Sequence, residues 1–212
     1  MDPDEARIAK GMLYRPGQRP LAVSRLGKGM FTRAWKGADG KVYLDVDEGA
    51  YEKEILAEIS QETRSKHLPR VESLGFTERG RLYRMPLYAS PLRAYVDTPK
   101  GESTTAWRQY RVIKACWDEA YRENWRSVYD GHKVKSAVVA CARRKKLPAA
   151  LVRALELLAE GSDNYGASYT FEFSPRNLAT DRNGNLILLD ALFDAELVAK
   201  KRGRRGLRER MP

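Results

Sequence analysis

The sequence changes character near Pro91, and that change limits what the chain can fold into. Before Pro91, short segments of alternating apolar and polar residues predict strands and one amphipathic helix in the order β-β-β-α-β-β. After it, helical periodicity dominates, and one short hairpin interrupts it. The sequence therefore predicts an α+β fold, with an antiparallel β-rich part first and a mainly helical part second. The predicted strands include residues 21–26, 41–46, 70–76 and 81–87, and the predicted helices cover residues 51–59, 103–128, 135–142 and 148–161.

The size and composition fit a globular protein. With 212 residues, the chain is long enough for one large core or for two lobes. No run of about 18 apolar residues occurs, so we expect no membrane-spanning helix, and the acidic, polar N-terminus predicts no secretory signal. Cys116 and Cys141 do not form a Cys-x-x-Cys pair, which fits a reducing compartment and indicates neither a disulfide framework nor a metal site. We therefore expect a cytoplasmic protein without a membrane partner.

The net charge of +11 is concentrated at the C-terminal end of the sequence. Residues 199–212 contain seven basic residues and one acidic residue. Such a segment is predicted to be disordered or a frayed helix end, and to be available to nucleic acid or to an acidic protein. A solvated end that only aids solubility explains the same composition. The residues that would make the contacts are Lys200, Lys201, Arg202, Arg204 and Arg205.

Three oxygen-bearing side chains follow one another in a strand, loop and hairpin late in the chain. Glu172 follows an apolar strand, Asn177 ends a tight loop, and Asp190 follows a run of four aliphatic residues. The hairpin between them turns at Asn183-Gly184. Converging oxygen ligands of this kind suit a hard cation such as Mg²⁺ beside a phosphate. An ordinary surface hairpin with polar ends is the other interpretation.

Two glycines one residue apart lie in the predicted hairpin between the first two strands. Gly27 and Gly29 lack a Cβ, so backbone amides there can approach a ligand closely. No helix opens after them, so the pattern is not a strand-to-helix dinucleotide motif. A plain hairpin turn also explains the two glycines.

Taken together, the glycine hairpin, the glutamate-bearing helix, a hinge at residues 85–89 and the segment from Glu172 to Asp190 resemble protein kinase-like phosphotransferases. The resemblance implies a two-lobed kinase-like fold, with a small antiparallel β lobe carrying one helix and a reduced, mainly helical C-terminal lobe. The small size and the missing activation segment make the sequence most similar to the early protein kinases of short-tailed bacteriophages. The implied domains are an arm at 1–20, an N-lobe at 21–88, a C-lobe at 89–198 and a basic tail at 199–212.

The resemblance also implies roles for individual residues. Asn177 and Asp190 would hold Mg²⁺, and Glu172 would accept the proton of the attacking hydroxyl. Arg176 would neutralise charge on the transferred phosphate. The helix glutamate would be Glu52, Glu54 or Glu58, and the hinge donor would be Leu87 or Tyr88. The implied ATP-binding residues are Gly27, Lys28, Gly29, Phe31, Lys41, Glu54 and Leu87.

The sequence departs from the family pattern at several positions. Where the third strand should carry a lysine that binds phosphate, the chain offers Tyr43, Leu44 or Asp45, and Lys41 or Lys28 would have to substitute. Glu172 replaces an aspartate, which moves the carboxylate by about one ångström and lowers the rate by about a hundredfold where positioning dominates. Thr32 replaces the third loop glycine, Asp190 is followed by Ala191-Leu192, and no Ala-Pro-Glu follows.

The resemblance therefore implies a kinase that transfers phosphate from ATP to Ser or Thr of host proteins such as the transcription machinery, in the host cytoplasm. The alternative is a pseudokinase with the same fold, which inhibits a host process by binding protein or nucleic acid through its basic surface. A third interpretation is a small-molecule phosphotransferase, whose substrate pocket the short C-terminal lobe would form.

Overall fold

The computed structural model describes residues 22–91, 104–124 and 130–208, and everything said about structure refers to these residues. They belong to two compact units. The first combines the residues up to Ala57 with Arg70–Leu87, and the second combines Glu58–Pro69 with the residues from Tyr88 onward. The α+β class predicted from the sequence is confirmed. The predicted arm at residues 1–20 lies outside the described residues.

The first unit contains a five-stranded antiparallel sheet in the strand order β1-β2-β3-β5-β4. The predicted order of three strands, one helix and two strands is confirmed. A hairpin with the backbone N–H of Gly29 donating to the carbonyl of Thr32 (2.7 Å) joins the first two strands. The strands are β1 Ala22–Lys28, β2 Thr32–Gly37, β3 Lys41–Asp47, β4 Glu72–Phe76 and β5 Gly80–Pro86. Helix α1, Glu52–Glu62, begins in this unit, and its residues after Ala57 belong to the second.

The two sides of this sheet carry different side chains, because successive residues of a strand point to opposite sides. Directly opposite residues on paired strands share a side, and β3 pairs with β5 through Leu44↔Tyr83 and Val46↔Arg81. Arg81 and Tyr83 both contact Glu54 of α1. We call this the helix-facing side of the sheet. Lys41, Tyr43 and Asp45 alternate with Leu44 and therefore lie on the other side.

Three helices form the core of the second unit. Helix α3 packs against both α2 and α4, and the buried residues of these helices include Ile113, Val138 and Leu155. Side chains cap two of the helices, since Thr104 accepts a hydrogen bond from the backbone N–H of Trp107 and Asp130 accepts one from Lys133. The helices are α2 Thr105–Glu123, α3 Gly131–Arg144 and α4 Ala149–Asp163.

Five short strands and a last helix complete the second unit. Strands β6, β8 and β9 form one antiparallel sheet, and β7 pairs with β10. In the part of the chain that is described, no helix is long and apolar enough to cross a membrane. The elements are β6 Ala89–Pro91, β7 Tyr169–Phe171, β8 Leu178–Thr180, β9 Leu186–Leu188, β10 Leu192–Asp194 and α5 Ala195–Arg208.

Capping residues set the starts of α3 and α5. Helix α3 begins at Gly131 rather than at residue 135, because Asp130 caps it one turn earlier. Of the two conformations predicted for the basic tail, disorder or a frayed helix end, the structure has a helix as far as Arg208, where α5 ends. Asp194 stabilises the start of α5 by accepting hydrogen bonds from the backbone N–H groups of Glu196 (2.9 Å) and Leu197 (3.1 Å).

Candidate functional site

Backbone hydrogen bonds bring the three oxygen-bearing residues of the second unit together. The N–H of Asp190 donates to the carbonyl of Asn177 (2.9 Å), and the N–H of Glu172 donates to the carbonyl of Ala191 (2.9 Å). Asn177 is itself held by a bond from its N–H to the carbonyl of Ser174 (2.9 Å). The predicted convergence of Glu172, Asn177 and Asp190 is therefore present in the backbone, and we call these three residues the carboxylate–amide cluster.

The chain before the cluster is fixed by buried aromatic residues. Phe171 and Phe173 are fully buried, and their ring centroids lie 5.2 Å apart. Glu172 lies between them and is only half-buried, because alternate residues of an extended chain face opposite sides. The 3₁₀ turn Pro175–Asn177 follows, with its proline at the position where a missing N–H costs nothing. The sequence therefore anchors the two phenylalanines in the core and turns Glu172 away from it.

The hairpin that carries Asp190 is held by a carboxylate that the sequence reading did not single out. Oδ1 of Asp181 accepts hydrogen bonds from the backbone N–H groups of Asn183 (2.9 Å) and Asn185 (2.8 Å). Burial favours a higher pKa for Asp181, but the hydrogen bonds from Asn185 and Asn183 outweigh it, and the pKa is lowered. Gly184 has φ of +75°, as the predicted Asn-Gly turn requires. These hydrogen bonds define the turn between β8 and β9, the strand that leads to Asp190.

His67 supports the same hairpin from a distant part of the chain, and sequence reasoning missed it. Its imidazole is buried, and Nδ1 lies 2.8 Å from the carbonyl oxygen of Leu186. Its own carbonyl accepts a hydrogen bond from the N–H of Leu188 (2.9 Å). Burial lowers the pKa of His67, more than the bond to Leu186 raises it. A neutral ring that donates from Nδ1 fits this position.

The cluster has the donor chemistry of a magnesium site that retains water. Mg²⁺ is usually bound by one or two carboxylates and keeps several waters. Asp190 offers a carboxylate and Asn177 an amide oxygen, and both residues are half-buried, so that solvent reaches them. Within the described ranges, no group of three or more His, Cys, Asp or Glu residues could hold a metal ion. Two oxygen donors leave most coordination positions of such a cation to water or to a ligand.

The glycine hairpin of the first unit keeps open space above one glycine. A Cβ built on Gly27 would meet no atom within 4 Å, and Gly27 lies opposite Ala34, another small residue. The N–H of Gly29 is occupied by the carbonyl of Thr32, and the carbonyl of Phe31 accepts a hydrogen bond from Asp47 (2.8 Å). The open surface at this hairpin is therefore above Gly27, whereas the amide of Gly29 closes the turn.

Glu54 has partners that the sequence reading did not assign. Its carboxylate forms an ion pair with Arg81 and accepts a hydrogen bond from the hydroxyl of Tyr83 (2.7 Å). Burial, together with the hydrogen bond to Glu54, raises the pKa of Tyr83, so its hydroxyl remains a donor. The structure does not bring Lys41 to Glu54, because Lys41 is exposed on the other side of the sheet. The signal in the sequence was the two-residue spacing of Arg81 and Tyr83 in the predicted fifth strand, which places both side chains on the same side of the sheet.

Other residues named from the sequence lie apart from Glu54. Lys28 is exposed and pairs with Arg33 at the end of the hairpin. Leu44 is buried on the helix-facing side, next to Tyr83. Leu87 is exposed after β5. On the helix-facing side of the described strands, the only cations are Arg81 and Lys36. Of these two, Arg81 forms the ion pair with Glu54.

Arg81 also lies at the hairpin end of the sheet. Thr32 follows the glycine turn and pairs with Val46, which in turn pairs with Arg81. These three residues form one row across the helix-facing side, adjacent to the row of Gly27, Ala34 and Leu44. A fixed cation and the open surface above Gly27 therefore belong to the same side and the same end of one sheet.

No protein-family model matches this chain, and no curated protein is similar enough to it to indicate a relative. A function for the chain therefore rests on the geometry of the carboxylate–amide cluster and of the glycine hairpin.

Proposed function

We propose that this protein is a kinase-like phosphotransferase that uses ATP and Mg²⁺ to phosphorylate Ser or Thr residues of proteins. The observation that carries the proposal is the hydrogen bond between Asp190 and Asn177, with Glu172 bonded to the residue after Asp190. This arrangement gives two oxygen ligands for a cation and one carboxylate beside them. Host proteins such as the transcription machinery are the proposed substrates, as the resemblance to bacteriophage kinases implies.

The chemistry of the cluster follows from charge placement. Phosphoryl transfer needs little covalent work from the protein, so positioning and electrostatic stabilisation supply most of the rate. Asn177 and Asp190 would hold Mg²⁺, and the bound ion would supply neutralisation of phosphate charge. Glu172 accepts the proton of the attacking hydroxyl, and Arg176, exposed and adjacent to Asn177, stabilises charge on the phosphate.

Among the cations of the first unit, we assign phosphate binding to Arg81. Glu54 holds Arg81, and Arg81 lies on the same side and at the same end of the sheet as the open surface above Gly27. An arginine remains charged at every relevant pH and binds phosphate oxygens with a planar fork. Arg81 would thus do on β5 what a lysine of the third strand does in the kinase pattern.

A thermal-shift experiment tests nucleotide binding. A ligand that binds only the folded state at ten times its dissociation constant stabilises that state by about 1.4 kcal/mol, or about 3–6 °C in Tm for a chain of this size. We expect ATP with Mg²⁺ to raise Tm by this amount, and Asp190→Asn to remove the magnesium-dependent part. Asp118→Asn, which changes a surface carboxylate on α2, is the matched control and should keep the full shift. No shift of the unmodified protein at millimolar ATP would contradict the proposal.

A second candidate is the pseudokinase. Leu44 next to Tyr83, and the glutamate at position 172, favour a protein that keeps the fold and has lost transfer. Transfer of labelled phosphate to a mixture of host proteins separates the two candidates. The kinase proposal requires transfer that Asp190→Asn abolishes, whereas a Tm shift without any transfer indicates a nucleotide-binding pseudokinase.

A further inference from the structure

Phe76 is the most exposed of the large apolar side chains in the described part of the chain, with 81% of its surface open to solvent. One exposed apolar residue is common on protein surfaces and indicates no function by itself. Phe76, however, has a specific contact, since the Cζ atom of Arg81 lies 4.9 Å from the centroid of its ring. This distance is within the range of a cation–π interaction. The exposed ring therefore contacts the arginine to which we assign phosphate binding.

The hairpin between β4 and β5 fixes the two residues opposite each other. Phe76 is the last residue of β4 and pairs directly with Arg81, so both side chains lie on the helix-facing side of the sheet. The N–H of Thr77 donates to the carbonyl of Gly80 (2.9 Å) and closes the turn between the strands. The hydroxyl of Thr77 accepts a hydrogen bond from the N–H of Gly80 (3.1 Å) and donates one to the buried carboxylate of Asp45 (3.2 Å). Strand register and a closed turn therefore set the contact between the ring and the guanidinium.

Phe76 and Glu54 contact the Arg81 guanidinium in different ways. Nη1 forms the ion pair with Glu54, whereas the central carbon Cζ lies over the ring of Phe76. The ring attracts the charge of the guanidinium through its quadrupole and does not require a carboxylate-like acceptor. The Arg81 side chain remains 35% exposed. Two contacts therefore restrain this side chain while part of it stays open to a ligand.

We propose that Phe76 is a positioning residue, which holds the guanidinium of Arg81 in place for the phosphates of ATP. This inference rests on the proposed role of Arg81 in phosphate binding. A long charged side chain loses conformational entropy when a ligand immobilises it. An arginine that a carboxylate and an aromatic ring already restrain loses less of this entropy, and therefore binds phosphate more tightly. An aliphatic side chain at position 76 lacks the quadrupole that attracts the cation.

Substitutions at position 76 test this role in the full chain. Phe76→Leu removes the ring and keeps an apolar side chain, Phe76→Tyr keeps the ring, and Leu74→Ala is the control, because Leu74 is another exposed apolar residue of β4. Tripolyphosphate and ATP–Mg²⁺ are the probes, and titration calorimetry gives their dissociation constants. Tm shows that each variant is folded. In protein labelled with ¹⁵N-arginine, the Nε–H signal of Arg81 reports the contact itself, because a nearby aromatic ring changes the chemical shift of that proton.

We expect Phe76→Leu to move the Arg81 signal and to weaken the binding of both probes by about two- to fivefold, the range that an exposed cation–π interaction supports. Phe76→Tyr should keep the affinity, and Leu74→Ala should change neither the signal nor the affinity. Where phosphate transfer is measured, Phe76→Leu should raise the KM for ATP and leave kcat unchanged, because it does not alter the carboxylate–amide cluster. A merely structural role of Phe76 would lower Tm without this difference between KM and kcat.

The two probes separate this inference from the proposed function. Weaker binding of tripolyphosphate by Phe76→Leu would support the positioning role even if the unmodified protein transfers no phosphate. Equal affinities of Phe76→Leu and the unmodified protein for both probes would overturn the role of Phe76 and leave the phosphotransferase proposal standing. An Arg81 signal that is the same in both proteins, or an equal loss of affinity in Leu74→Ala, would also overturn it. If the unmodified protein binds neither probe, both proposals fail.

Discussion

At the scale of single residues, the ion pair between Glu54 and Arg81 makes Arg81 the cation available to a phosphate in the first unit. Glu54 forms this ion pair and also accepts a hydrogen bond from the hydroxyl of Tyr83. We expect Arg81→Met to raise the KM for ATP at least tenfold and to remove at least about two thirds of the ATP-dependent Tm shift, whereas Arg81→Lys should have a smaller effect on both. Because the pair is partly exposed, its loss should cost at most about 1 kcal/mol of stability.

Arg84→Met is the matched control for Arg81. Arg84 also lies on β5 and also forms an ion pair, with Glu72, but on the other side of the sheet. Its loss should leave the KM for ATP unchanged. An equal effect of both substitutions on the KM would contradict the role of Arg81 and indicate a general effect on the sheet.

A second prediction at this scale concerns Glu172, because its side chain is one methylene longer than the aspartate of the kinase pattern. Shortening the side chain draws the carboxylate back by about one ångström, a displacement that can change a rate by about a hundredfold. If the cluster transfers phosphate by the family's geometry, Glu172→Asp should raise kcat by up to this factor, and Glu172→Gln should remove activity. Transfer of labelled phosphate measures both. A kcat for Glu172→Gln equal to that of the unmodified protein would show that Glu172 is not the base.

The sequence predicted the members of the carboxylate–amide cluster better than it predicted the supports of that cluster. Glu172, Asn177 and Asp190 are close in sequence, and the alternation around the two buried phenylalanines sets their orientation. The roles of Arg81 and His67 depend on strand register and on contacts between distant segments. Neither is encoded in a local pattern. Lys41 was selected for its nearness to the missing lysine, but side-chain alternation places it on the other side of the sheet.

At the scale of elements, the hairpin of β8 and β9 depends on the protonation state of His67. Burial lowers the pKa of His67 below its ordinary value of 6.5, so the unfolded chain binds a proton that the folded protein excludes. Stability is therefore fully present above pH 6.5 and is lost as the pH falls below it, by up to about 1.4 kcal/mol per pH unit. Urea unfolding between pH 7.5 and 5 should show this loss.

Substitution of His67 separates its titration from that of the carboxylates. Asparagine keeps an N–H near the position of Nδ1 but does not titrate, so His67→Asn should be less stable at pH 7.5 and less sensitive to acid. The exposed His132, changed to asparagine, is the control and should keep the original pH dependence. An unchanged pH dependence in His67→Asn would assign the acid sensitivity to other groups.

Helix boundaries show where local patterns stop being sufficient. Asp130 and Asp194 set the starts of α3 and α5, and both are capping residues whose effect the hydrophobic pattern does not reveal. The charge of residues 199–212 was compatible with disorder or with a frayed helix end, and the structure has a helix as far as Arg208, which begins at the cap and at the bond from Ala195 to Ser168. Composition therefore predicted the charge of this element but did not decide its conformation.

At the scale of the whole molecule, the chain passes between its two units more than once. The second unit includes Glu58–Pro69, which precedes two strands of the first unit in the sequence. Within that segment, His67 binds the backbone of Leu186 and Leu188, and the side chain of Ser60 donates to the carbonyl of Pro69. The sequence reading placed the domain border at residue 88 and treated these residues as a connection. A contiguous border is a natural inference from composition, but contacts between distant residues define the units.

This organisation predicts the behaviour of fragments. Residues 88–212 alone lack His67, so the carbonyl of Leu186 and the N–H of Leu188 lose their partners, and leaving such buried groups unpaired costs about 1–3 kcal/mol each. We expect this fragment to unfold without cooperativity and its Leu188 amide to exchange rapidly. A second fragment, residues 58–69 joined to 88–212 by a Gly-Ser linker as long as the removed segment, should fold cooperatively and protect that amide. Equal cooperativity and equal protection in the two fragments would show that the second unit does not need the segment that carries His67.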